Sequence, residues 1–241
     1  LLRRLSSAIQ QINDDASATR RVGLDTLDEV FGTDVVLTSA AASEMLHVLS
    51  QPLLRRFEDP VEKHREIALR VYVALVERTE DVRPYLPFVF TVLCARGNVA
   101  AFDPDLGLFV YDVKALEAFK RGKAIQRPDF DEALERERVF EVSEPSEELR
   151  AMICQLLVLL LMKHPGYFLH DGLSLLAGAV RDPFAEVQVR AANGIALVCR
   201  VPLVQDLLVP YGSALARAVM PMLRQRHARV RTAAVRALHR S

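Results

Sequence analysis

Apolar residues recur along this chain at helical spacing, in pairs of segments joined by short polar turns. The clearest unit runs from Leu173 to Val198. Leu173, Leu175, Leu176, Ala179 and Val180 form one apolar stretch, Asp182 and Pro183 mark a turn, and Val187, Ala191, Ala192, Ile195 and Ala196 form a second. Asp182 suits the cap of the second helix, where a carboxylate accepts otherwise unmatched backbone N–H groups. Pro183 suits the first turn, where its missing N–H costs nothing. The unit predicts helix, turn, helix.

The same grammar recurs elsewhere: an acidic residue, an aliphatic or basic residue five positions later, often an arginine six later, then small and aliphatic residues. Asp15 leads to Arg21, Leu24 and Leu27; Asp59 and Pro60 lead to Arg65, Ala68 and Leu69; Glu144 and Pro145 lead to Leu149, Arg150 and Ile153. A fifth turn carries Gln225 in the acidic slot and continues with Val230, Arg231, Ala233, Ala234 and Leu238. The turns recur about every 38 to 44 residues, apart from a gap of about 85 between Asp59 and Glu144, and such a period belongs to HEAT and armadillo arrays. The expected fold is all-α, a HEAT/armadillo-type α-α superhelix: a right-handed solenoid of about five helix pairs in a single array over residues 1–241. Its repeats are expected at about 1–34, 35–80, 84–164, 167–200 and 203–241.

The third repeat is split. Its first helix lies near Pro84 to Ala95, its partner begins only at Pro145, and residues 97–143 read as an insertion. That segment holds Gly97, Gly107, Gly122, Pro104 and Pro128, many acids and a short apolar burst from Leu106 to Val113. Asp112 to Arg121 and Asp129 to Arg138 have narrow apolar faces and predict a turn or two of helix each. Helix pairs this short cannot bury their own apolar faces, so stability has to come from stacking on neighbours. Leu1 and Leu2 open the chain in mid-pattern and Ala237 and Leu238 close it there, so the chain reads as a fragment of a longer array. The acid and arginine at successive turns are expected to form a structural ladder of Asp15, Arg21, Asp59, Arg65, Glu144, Arg150, Asp182 and Arg231.

Composition narrows the class. With 51% hydrophobic residues, 10 Gly, 12 Pro and 7% aromatics, packed helices fit better than a turn-rich β protein. Formal net charge is zero, 31 basic against 31 acidic residues, so no whole-chain field draws it to nucleic acid or an anionic membrane. The basic stretch from Arg224 to Arg240 lacks the interleaved aromatics that stack on bases, and no nucleic-acid partner is expected. Cys94, Cys154 and Cys199 are isolated in apolar stretches, which points away from disulfides or a thiolate metal site and fits a reducing cytosol. The longest apolar run, Ala151 to Met162, falls well short of the roughly 20 residues that cross a bilayer, so no membrane contact is expected.

No Gly-rich phosphate loop, His-Glu-x-x-His, Gly-x-Ser-x-Gly or paired-cysteine motif occurs, so no catalytic, cofactor-binding or metal residue is expected and the role reads as non-enzymatic. His164 and His170 flank Pro165 and Gly166 with no third ligand near in sequence, and Glu147 and Glu148 sit where a helix N-terminus favours negative charge. In a HEAT array the second helices line the concave face. Five positions after each arginine slot stand Thr26, Arg70, Gln155, Asn193 and Arg236, all polar, and this stripe is expected to contact an extended or helical segment of a client protein.

Two turns go beyond generic HEAT grammar. Glu144, Pro145, Glu147, Glu148, Leu149, Arg150, Gln155, Leu156 and Leu157, followed by Asp182, Pro183, Phe184, Ala185 and Val187, resemble the N-terminal HEAT repeats of the dynein axonemal assembly factor family. Leu53, Leu54, Arg55, Asp59, Pro60 and Leu69 are similar, while the insertion is longer than that family implies. The resemblance implies a cytoplasmic scaffold without cofactors, which helps preassemble axonemal dynein arms before their transport into cilia or flagella. It implies dynein arm chains, other dynein assembly factors and chaperones as partners. The residue pattern by itself leaves open a different HEAT scaffold, such as a phosphatase regulatory subunit or an importin-like transport receptor.

Overall fold

The computed structural model describes residues 2–31, 38–96, 101–103, 105, 107–110 and 144–239. The two short helices expected within Asp112–Arg121 and Asp129–Arg138 lie outside the described residues. The chain is all-α of the HEAT/armadillo helix-pair type, with one small hairpin added, and forms two compact units, Leu1–Val92 and Leu93–Ser241.

In the first unit, α1 (Leu2–Ile12) pairs with α2 (Ser17–Phe31), and α3 (Ser39–Arg56) pairs with α4 (Glu62–Arg78). Gly23 sets the approach of α1 to α2, since a Cβ there would lie 2.8 Å from the Ala8 carbonyl oxygen, nearer than a carbon can sit. The second helices α2 and α4 lie side by side, so one pair stacks on the next. Leu24, Leu27, Leu46, Leu49, Leu53 and Ile67 are buried in the resulting core. Tyr72 joins them, edge-on to Phe57 at 5.6 Å and with its hydroxyl 3.3 Å from that of Ser50; burial pushes its phenol up to about 12. The division between the units falls inside α5 (Leu86–Arg96).

The second unit is built on α6 (Glu147–Lys163), α7 (Leu169–Ala179), α8 (Ala185–Val198) and α11 (Ala228–Leu238). Helix α8 packs between α6 and α11, so second helices again line up in order. Before α11 the first helix of the last pair is broken into α9 (Gln205–Leu208) and α10 (Gly212–Val219) by tight turns at Pro202–Val204, Val209–Tyr211 and Met220–Arg224. Pro202, Pro210 and Pro221 each open one of these turns, where a ring without an N–H fits and an unbroken α-helix does not.

The start of the insertion folds as a hairpin. Here β1 (Ala101–Asp103) pairs antiparallel with β2 (Leu108–Val110), Asp103 opposite Leu108, and Gly107 closes the loop with a positive φ of 59° that suits glycine. The hairpin rests on its own unit, β1 against α7 and β2 against α10. Buried Phe109 stacks on Tyr211 at 6.4 Å, and the Arg217 guanidinium donates to the Gly107 carbonyl.

Inside each unit, arginine rungs join successive turns. Arg150 is wholly buried; it donates from NH1 to the carbonyls of Glu144 (3.1 Å) and Pro145 (2.8 Å), and from Nε and NH2 to Asp182 (2.7 and 3.1 Å). Asp182 Oδ1 also accepts the Phe184 N–H at 2.9 Å, so one carboxylate closes the turn into α8 and holds the preceding repeat. The Phe184 ring lies 5.1 Å from the same guanidinium carbon. In the first unit the matching arginine is Arg20, not Arg21. Its NH1 reaches the carbonyls of Asp14 and Asp15, its Nε reaches Asp59 Oδ2 at 2.8 Å, and Asp14 caps the turn through the Ala16 N–H. Arg21 instead donates to Asp25 within α2. Arg65 and Arg231 sit on the carbonyls of their own turns in the same manner, and Gln188 replaces arginine in the α8 slot by donating to the Asp182 carbonyl at 2.7 Å.

Two measurements check this ladder. Arg150→Ala leaves Asp182 buried without its cation and should cost about 3–5 kcal/mol in urea unfolding, against less than about 1 kcal/mol for exposed Arg231→Ala. Equal losses would mean that the rung carries no special weight. Burial alone would raise the Asp59 carboxyl, but the Val61 N–H, Arg20 and His64 outweigh it and hold the group below its ordinary 3.8. The stability Asp59 contributes is therefore present above pH 3.8 and lost as pH falls through the lower folded value. The stability gap between the wild type and Asp59→Asn should shrink from about pH 5 to about pH 3; a constant gap would refute the assignment.

Candidate partner-binding surface

The second helices turn one polar face outward, and the rungs fix its register. In the first unit the position five after the arginine is Asp25 on α2 and Arg70 on α4, because Arg20 holds the slot. Thr26, expected in this stripe, is half-buried and spends its hydroxyl on the Val22 carbonyl at 2.9 Å. Arg70 lies between two carboxylates: NH1 reaches Asp28 on α2 at 2.7 Å and NH2 reaches Glu66 on its own helix. Burial pushes the Glu66 carboxyl up, but Lys63 at 2.8 Å and Arg70 more than offset it and leave the group lowered.

In the second unit a line of hydrogen bonds crosses three helices. Gln155 on α6 accepts from Arg190 NH1 at 3.2 Å; Arg190 Nε donates to Glu186 Oε1 at 2.9 Å; Glu186 Oε2 accepts from Arg229 NH1 of α11 at 2.9 Å. Asn193 is half-buried on α8, one turn beyond Arg190, and Arg236 is exposed on α11, two turns beyond Arg229. The structure thus joins Gln155 to Arg190, sets Asn193 and Arg236 on the adjoining helices, and leaves Thr26 and Arg70 in the other unit. Arg190, Glu186 and Arg229 escaped the sequence reading. Glu186 and Arg229 stand two positions before the slot and Arg190 two after it, and all three are exposed.

With side chains 42–58% exposed, these ion pairs contribute at most about 1 kcal/mol each, so the face can exchange partners without unfolding the repeats. The thiols are not poised for nucleophilic chemistry, because burial pushes Cys94 and Cys199 up to about 11 and Cys154 to about 12. Among the described residues no three His, Cys, Asp or Glu side chains gather as a metal site, and no single helix is long and apolar enough to cross a membrane.

A family model described as "Dynein axonemal assembly factor 5-like, TPR repeats" matches residues 11–101 and 133–240. Dynein axonemal assembly factor 5 of Xenopus laevis is 28% identical over 134 residues, a stretch that makes up 54% of this chain and 16% of the relative. Two solved helical proteins each align over 98% of the chain. One is an engineered protein of the Northeast Structural Genomics Consortium (13% identity, 95% of that chain, TM-score 0.43), the other a designed armadillo repeat protein (14%, 98%, 0.37). Likenesses at those scores are too loose to bear on function.

Proposed function

The chain belongs to the dynein axonemal assembly factor 5-like family, and from that premise we propose that it is a non-enzymatic scaffold that holds client proteins during preassembly of axonemal dynein arms. The observation that carries this reading is the family match to both compact units, each built of stacked helix pairs that turn a polar face outward. Clients on this reading are dynein arm chains, with other dynein assembly factors and chaperones in attendance. The work takes place in the cytoplasm, before transport into a cilium or flagellum. Arg70, Gln155, Asn193 and Arg236, with Asp25 in the place first assigned to Thr26, are the residues proposed to meet the client. Asp14 and Arg20 take the places first assigned to Asp15 and Arg21 in the ladder beneath them.

Pull-down from ciliated cells tests the role. Replacing Arg70, Gln155 and Arg236 together by Ala should cut recovery of dynein heavy chains several-fold while moving stability by no more than about 1 kcal/mol, since all three are at least partly exposed. Undiminished recovery would remove the stripe from the client site, and a wild-type chain that recovers no dynein chain would remove the proposed client.

A further inference from the structure

Glu186 already holds the position that an incoming carboxylate would take. It bridges two successive second helices, one oxygen on Arg190 of α8 and the other on Arg229 of α11, both at 2.9 Å, in the charge-assisted geometry that guanidinium offers a carboxylate. All three side chains are open to solvent. The surroundings on the α11 side are one-signed: residues 224–239 carry five arginines, two histidines and no acid. Arg224, Arg226 and Arg236 are exposed there, and seven residues of helix place Arg236 on the Arg229 side, about 10 Å further along. Arg231 differs, since its NH1 sits on the carbonyls of Gln225 and Arg226. Among the described residues, Glu186 itself and, at the matching position of α6, Glu148 are exposed acids of these second helices. Gln155 and Asn193 supply amides able both to donate to and to accept from an extended backbone. Neither α8 nor α11 contains an aromatic residue, and Phe184 at the start of α8 lies against the Arg150 guanidinium, so the two helices offer no row of aromatics for bases, which favours a protein over a nucleic acid.

We infer that the α8–α11 face docks a carboxylate-rich, extended segment of a protein partner. Arg190, Arg229 and Arg236 are its donors, and Glu186 is the resident carboxylate that the segment displaces. The inference rests on reading the outward face of the second helices as partner-binding, and names the chemistry of the partner at its second-unit end.

The test titrates the full chain against a fluorescent peptide of alternating glutamate and alanine, followed by anisotropy, with oligothymidylate titrated in parallel. Joint charge reversal, Arg190→Glu with Arg229→Glu and Arg236→Glu, should weaken peptide binding at least about tenfold. Glu186→Gln should tighten it about threefold, because the peptide no longer competes with a resident charge; a purely structural Glu186 would give no gain. Should the triple variant fail to fold, Arg236→Glu alone serves, as Arg236 makes no hydrogen bond to another described residue, and about a threefold loss is expected. Unchanged affinity in the reversal variants, no tightening by Glu186→Gln, or binding of the oligonucleotide in place of the peptide would each overturn the inference. Peptide binding that persists while dynein recovery fails would uphold this surface and remove only the dynein client.

Discussion

The arginine rung is the constraint on which both units depend. A guanidinium with two edges can sit on the carbonyls of its own turn and still grip a carboxylate one repeat on, and Arg150 does both. The carboxylate it grips is already committed to closing the turn into the next helix, so turn, position and inter-repeat spacing are set together. Arg20 and Asp59 repeat the device, with Arg56 and His64 crowding the same carboxylate. Pairs buried this deeply gain little over apolar packing but cost much when broken, which makes the rung a register device more than a source of net stability.

Register is what turns a row of helices into a surface. The residues two before and five after the slot are at least partly exposed on every second helix, and where they are polar they form lines between neighbours. The Gln155, Arg190, Glu186 and Arg229 line is one such, and the Asp28, Arg70, Glu66 and Lys63 group is another. The hairpin docked on α7 and α10 belongs to a separate part of the second unit, where Phe109 and Tyr211 give it an apolar seat.

Helical periodicity and turn chemistry made the helix pairs legible, because an acid, a proline and small residues each have a mechanical reason at fixed offsets. Asp182 and the apolar residues from Leu173 to Ala196 sit where their chemistry places them. The first repeat was ambiguous because Asp14 and Asp15 stand together, as do Arg20 and Arg21. The apolar pattern resolves it: positions four and seven after Arg20 are buried Leu24 and Leu27, whereas those after Arg21 are Asp25 and Asp28. The hairpin was not legible, since three-residue strands inside a glycine- and acid-rich stretch give too short an alternation to see. Nor were the ion pairs of the outward face, because cross-helix partners are set by spacing in the folded unit and not by distance along the chain.

The broken first helix of the last pair has a dynamic consequence. A continuous helix shares the cost of opening among many linked hydrogen bonds, but one interrupted at Pro210 and flanked by the proline turns at Pro202 and Pro221 is divided into a four-residue and an eight-residue piece that can fray separately. Amides of α9 and α10 therefore lose protection before those of α8, so α11 keeps its neighbour on one side while its cover on the other breathes.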